Sequence, residues 1–185
     1  EVTFIKDKST LAKHVGYFNS NNANVSHEKY QVNNVGIYGV NPEFTEIQAL
    51  DIANGRYLND NEFTRGVPVC VIGNILAEQL FDKPERAVDK TITFDGKRMQ
   101  VIGVIKKQGQ SFVGGFDYDN CVMLSYRAYA SIYDVDGNYS NPIIMVNGLD
   151  NISSKALIDE LEGIMRQVRR LSPKQEDNLT LNDIN

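Results

Sequence analysis

Tryptophan is absent from this sequence, and histidine and cysteine occur only twice each among its 185 residues. These scarcities exclude chemistry. His14 and His27 lack the i,i+4 spacing of a zinc-binding helix and read as satisfied or solvated side chains. Cys70 in VPVCVIG and Cys121 in DNCVMLS allow at most one bridge, too little for a disulfide scaffold. Both sit in apolar runs and read as buried, inert thiols. There is no apolar run of about 18 residues, which a membrane helix needs, and no cleavable signal pattern. The chain opens on Glu1 rather than Met and reads as a piece of a longer polypeptide. Basic excess is missing too. With 24 acidic and 19 basic side chains the net charge is −5, so nucleic acid is not the expected partner. No GKS or GKT phosphate loop, dinucleotide fingerprint or G-x-S-x-G elbow occurs. No catalytic, cofactor-binding or metal-binding residue is assigned.

Hydrophobic residues make up 42% of the chain and charged residues 23%, which suits one compact domain or two small lobes. The patterns predict a mixed α+β fold. Strands are expected at Glu1 to Ile5, Tyr30 to Val40, Val67 to Gly73, CVMLS and Asn141 to Leu149. Two more flank Asp95-Gly96 in KTITFDGKRMQVIGVIKK, where glycine favours a tight primed turn. STLAKHVGYF reads as a helical turn or two, and NSNNANVSHEKY as a polar surface loop. Short helices are expected from Pro42 with Asn41 as its cap, after a capping Asn74, and after a capping Ser125. The strongest helix carries Leu157, Leu161, Ile164, Val168 and Leu171 at spacings of four and three, and ends at Ser172-Pro173. An edge strand is expected near Leu179 to Leu181.

The elements divide near residue 136. Residues 41–135 read as a lobe inserted into an outer one built from 1–40 together with 136–185, which would bring the chain ends together.

Few residues invite a chemical reading. Asp117 and Asp119 flank Tyr118, and their alternation could place two carboxylates on one strand face for a cation or for acid–base work. Loop carboxylates before a strand are the simpler reading. Arg56, near Asp60 and Glu62, fits an ion pair better than a substrate clamp. The Gly-rich GQSFVGGFDYD, with Phe112, Phe116 and Tyr118, reads as a mobile contact loop with exposed aromatics.

The order of YGVNPEF, ANGRYLNDNEF, PVCVIGNILAEQLF and KTITFDGKRMQVIGVIKK resembles the MacB-like periplasmic core domain of ABC transporter permeases, in the FtsX-like superfamily. DNCVMLSYRAY and MRQVRRLSPKQEDNLTLNDIN extend the resemblance to residues 36–185. It implies a two-lobe periplasmic domain, with a porter-like lobe and an inserted, small α/β Sabre-like lobe. Gly39, Gly55, Gly73, Gly96 and Gly103 would fall at turns or close packing. No catalytic residue is implied, because ATP is hydrolysed by a separate cytoplasmic domain or subunit. Implied partners are a second permease protomer, that ATP-binding part through the membrane helices, and a periplasmic adaptor or lipoprotein. The isolated domain could be monomeric. The implied place is the periplasmic side of the inner membrane, within a multi-pass protein. One departure stands out: the family has a helix before its first porter strand, whereas this chain is read as opening on strand EVTFI, leaving that lobe N-terminally incomplete. A lipoprotein-releasing permease domain, a free-standing secreted enzyme using Asp117 or Asp119, and a ligand-binding α/β domain are the alternatives.

Overall fold

The structure, a computed structural model, describes residues 2–109, 116–135 and 142–170. Helix α1 (Val2–Lys8) opens the described residues, correcting the expected strand and with it the departure noted there. Val2 and Ile5 share a side only on a helix, and they join Leu161, Ile164 and Met165 in one apolar cluster. Lys6 and Lys8 in its last turn suit the negative end of the helix. Strand β1 (Ala12–His27) follows, 16 residues long, where a helical turn and an Asn-rich loop were expected. Its polar residues Ser20, Asn21, Asn22 and Asn24 are exposed, while Ala23 and Val25 are buried. A two-residue turn at Glu28-Lys29 leads into β2 (Tyr30–Val40), antiparallel to β1.

The next helix, α2 (Phe44–Ile47), starts two residues later than Asn41-Pro42 suggests. Asn41 instead turns its side chain to β1, accepting from the Tyr17 N–H at 2.9 Å. Then come β3 (Ile52–Gly55), α3 (Asp60–Arg65), β4 (Val69–Ile72) and α4 (Asn74–Phe81). Asn74 does not cap α4. Its first N–H groups find the Asp119 carbonyl, from Ile75 at 2.9 Å and Leu76 at 3.2 Å. The hairpin β5 (Thr91–Phe94) and β6 (Lys97–Ile105) turns at Asp95 and Gly96, with φ of 45° and 71°. Both values are positive, as a primed turn requires. Strand β7 (Cys121–Ser125) runs into α5 (Tyr126–Ala130), which Ser125 caps through the Ala128 N–H at 3.2 Å. Strand β8 (Ile143–Gly148) and helix α6 (Ser154–Val168) complete the described chain, with Ser153 capping α6. Leu171 and the expected Leu179–Leu181 strand lie outside the described residues.

The sheet runs β2-β7-β4-β6-β5-β1, and β1 pairs back with β2, so six strands close on themselves. Pairs β2–β7 and β4–β6 are parallel; the closing contact β1–β5 is antiparallel at Ser26 and Thr93. The first half of β1 carries β8 on its edge, and β3 pairs with β6. Closure explains why β4 and β7 are buried along their whole length: one face meets the interior with α4, the other the helices and loops outside. The interior holds Val25, Val35, Ile37, Ile72, Leu76, Leu80, Ile92, Phe94, Val101 and Leu124. Burial of such side chains, at about 1.5–3 kcal/mol each, is the main force holding the closed sheet.

Candidate functional site at the junction of the chain ends

Helices α1 and α6 lie side by side where the described chain begins and ends. Ile5 and Val15 pack with Leu161, Ile164 and Met165 in a cluster separate from the sheet interior. A carboxylate locks the joint. Glu160 accepts hydrogen bonds from the Ser9 hydroxyl, the Thr10 N–H at 2.8 Å, the Thr10 hydroxyl at 2.7 Å and the Leu11 N–H at 3.2 Å. Partial burial alone would raise its pKa. The bonds from Ser9, Thr10 and Leu11 outweigh that and hold it down at about 2. A second tie joins Lys6 to Glu43, which also accepts from the Val15 N–H at 3.1 Å. Burial again opposes ionisation at Glu43, and the Lys6 and Val15 bonds overcome it, lowering the pKa.

From this joint β1 runs unbroken into the closed sheet. Its first residues pair with β8 from Ala12–Gly148 to Phe18–Ile143, and Leu149 donates back to the Leu11 carbonyl at 2.8 Å. Helices α1 and α6 are therefore both tied to the sheet through the root of β1. By sequence Glu160 is one of several acidic residues early in α6 that suit the helix dipole, yet it also carries a signal of its own. It stands among Leu157, Leu161 and Ile164 on the apolar side of α6, where a charge requires a partner.

The residues singled out from sequence serve other joints. Arg56 grips Glu62 with both nitrogens, at 2.9 and 2.7 Å. Glu62 is only 6% exposed and completes a capping box with Asn59 at the start of α3. The Arg56 bond, then the Asn59 N–H, lowers the Glu62 pKa despite burial. Asp60 lies in the first turn of α3 and gives its backbone carbonyl to the Thr64 hydroxyl. Gly55 and Gly103 face one another across β3 and β6. A Cβ on Gly55 would lie 2.2 Å from the Ile102 oxygen, and one on Gly103 2.2 Å from the Arg56 oxygen. A Cβ on Gly39 would strike the Tyr129 ring, and one on Gly73 the Asp119 carbonyl, each at 2.3 Å. Gly96 needs only its positive φ, with open space around it.

Phe116 and Tyr118 are buried, 7% and 8% exposed, which corrects the exposed placement expected of them; Phe112 lies outside the described residues. Phe116 stacks on Tyr118 and meets the edge of Phe18 with centroids 4.4 Å apart. Asp117 and Asp119 do not converge. Asp117 accepts from the Asp119 and Asn120 N–H groups at 3.1 Å, whereas buried Asp119 accepts from Gln108 and Gly109 at 2.8 and 3.0 Å. Among the described residues no group of three His, Cys, Asp or Glu gathers. Cys70 and Cys121 are free, buried thiols in different apolar clusters, and burial raises the pKa of each. Among the described residues no helix is long and apolar enough to cross a membrane.

The model of the MacB-like periplasmic core domain matches residues 2–164. The chain belongs to that family. In keeping with it, this is an extracytoplasmic domain of the MacB/FtsX permease type. It is 28% identical over 137 residues to the macrolide export ATP-binding/permease protein MacB of Syntrophobacter fumaroxidans, covering 74% of this chain and 17% of that protein. It is 28% identical over 119 residues to the ABC transporter permease YknZ of Bacillus subtilis, covering 64% of this chain and 28% of that one. The chain thus spans less than a third of these relatives' lengths. The fold matches the periplasmic region of MacB from Actinobacillus actinomycetemcomitans with a TM-score of 0.73, over 92% of this chain and 74% of that one, at 16% identity. It also matches the extracellular domain of YknZ from Gram-positive bacteria, TM-score 0.71, over 91% and 81%, at 18% identity.

Proposed function

We propose that this MacB-like domain is a coupling element. It takes up movement of membrane helices continuous with α1 and α6, driven by ATP hydrolysis in a cytoplasmic domain or subunit, and delivers it to extracytoplasmic events such as efflux or engagement of a partner. The observation that carries the proposal is the Glu160 joint. Four hydrogen bonds and an apolar cluster hold both chain-end helices to the root of β1, and β1 continues into the closed sheet. A stiff path of this kind passes on displacement instead of absorbing it. The outer lobe of the proposal is 1–40 with 136–185, the inserted lobe 41–135. The α1–α6–β8 cluster, drawn from residues 2–15 and 144–168, supports this division, with β1 and β2 as the shared seam. The partners are a second permease protomer, the ATP-binding part and a periplasmic adaptor or lipoprotein, on a multi-pass membrane protein.

Mass measurement and terminal sequencing of the intact parent polypeptide tests the arrangement. An apolar segment of about 20 residues on each side of this domain is expected. A parent with no membrane span on either side would sink the proposal.

A further inference from the structure

We propose that the outer edge of β8 is a docking site for the chain's own residues 178–182, NLTLN, which pair with it as a parallel strand. The pairing rests on the coupling reading only for its use: the chain leaving α6 would be joined to the sheet a second time, beyond the tie at Glu160.

Strand β8 ends the sheet, paired with β1 alone among the described strands. The bonds of β1 fix which backbone groups of β8 face outward. The Val15 N–H donates to Glu43, and the Val15 carbonyl accepts from the Asn41 side chain at 3.3 Å. The Tyr17 N–H and carbonyl also go to Asn41. Val15 and Tyr17 thus turn their backbone groups away from β8. Their partners in the antiparallel register, Val146 and Ile144, turn theirs away from β1. The outer edge therefore presents the N–H and C=O groups of Ile144 and Val146. The strand, IIMVNG, has no charge or proline to guard them, and an unguarded edge invites pairing. The face beside this edge is unfinished too. Ile144 and Val146 pack on Leu161, Ile164 and Met165, yet both are only half-buried.

Chain length and direction select the occupant. Helix α6 starts beside the end of β8, where Leu157 covers Gly148, and runs back along the strand. Its 15 residues rise about 22 Å, and the six residues of β8 span about 20 Å. The helix therefore ends level with the start of β8. A strand that follows it runs parallel to β8, and parallel neighbours are joined by a helical crossover of this kind. Residues 171–185 follow α6 in the sequence and lie outside the described residues. Pro173 opposes continuation of the helix, and residues 171–177, about 23 Å when extended, supply the step to the edge. Leu179 and Leu181 alternate with Asn178, Thr180 and Asn182. Setting Leu179 beside Ile144 and Leu181 beside Val146 puts both leucines on the face that α6 covers. The same register lets the Thr180 N–H donate to the Ile144 carbonyl, its carbonyl accept from the Val146 N–H, and the Asn182 N–H donate to the Val146 carbonyl. Glu176, Asp177 and Asp183 flank the segment, and charges of one sign guard the new edge against a second copy of the chain.

The test is amide hydrogen exchange of this 185-residue chain, read by 15N–1H NMR. The Ile144, Val146, Thr180 and Asn182 amides should exchange at least about 100-fold more slowly than in an unstructured chain, and the Leu181 and Val146 methyl groups should show a nuclear Overhauser contact. Thr180→Pro removes a bonding N–H and should speed exchange at Ile144 and Val146 at least about tenfold, with the β4 and β7 amides unchanged. Fast exchange at Ile144 and Val146 in the unaltered chain would overturn the proposal. So would protection there that rises with protein concentration, the mark of a second copy on the edge, or protection that survives Thr180→Pro. Should that variant unfold, the Leu181–Val146 contact in the unaltered chain decides, and its absence overturns the pairing. The measurement needs no membrane helix, so its failure is distinguishable from failure of the coupling reading.

Discussion

Replacing Glu160 with Gln keeps the size of the side chain and removes the charge that four donors address. The carboxyl pKa falls from its ordinary 4.5 to about 2, which taken at face value is worth roughly 3 kcal/mol. Glu160 is only partly buried, and solvent screening reduces that to about 1–2 kcal/mol. Glutamine also turns an NH2 group toward donors, so part of the loss is direct mismatch. The folded pKa is depressed, so the stabilisation is present above the unfolded pKa and is lost as pH falls from about 4.5 toward 2. Urea unfolding of both proteins at pH 7 and pH 3 reads it. A difference of about 1–2 kcal/mol at pH 7, at least halved at pH 3, is expected. A difference below about 0.3 kcal/mol at pH 7, or one equal at both pH values, would refute the reasoning.

Other expectations follow from the joints. Gly103→Ala forces a Cβ to 2.2 Å from the Arg56 oxygen and should cost about 2–4 kcal/mol in urea unfolding. Gly163→Ala, on α6 with open space around it, should instead stabilise by about 0.5–1 kcal/mol. Arg56→Ala leaves Glu62 buried without its cation. It should destabilise by about 1–2 kcal/mol at pH 7, and the penalty should shrink as protonation of Glu62, whose pKa is lowered, sets in at acid pH. Cys70 and Cys121, whose pKa values burial raises, should resist a thiol reagent at pH 8 in the native protein and react fully in urea, as measured by absorbance of the released thiolate.

Elements stabilised by local signals were legible in the sequence. The β5–β6 turn needs positive φ and shows Asp95-Gly96; α5 and α6 carry Ser125 and Ser153 as caps; α6 carries a spaced apolar stripe. The first 30 residues were not legible. EVTFI contains β-branched and aromatic residues, yet Val2 to Ile5 are helical because Ile5 has α6 to pack on. The Asn-rich run reads as a loop, yet is strand because β2 pairs with it along its length. Both outcomes depend on partners distant in sequence, which override propensity. Sheet closure depends on β1 meeting β5, 67 residues apart at Ser26 and Thr93. The candidate joint was hidden for the same reason, since Glu160 meets Thr10 across 150 residues.

The most direct test of the coupling claim uses the full-length permease with its ATP-binding part, reconstituted in vesicles with wild-type or Glu160→Gln sequence. ATP hydrolysis and extracytoplasmic output are measured together. Hydrolysis within about twofold of wild type with output reduced at least about fivefold, an uncoupled machine, is the predicted result. Output unchanged in a variant whose joint is shown to be weakened would contradict the account.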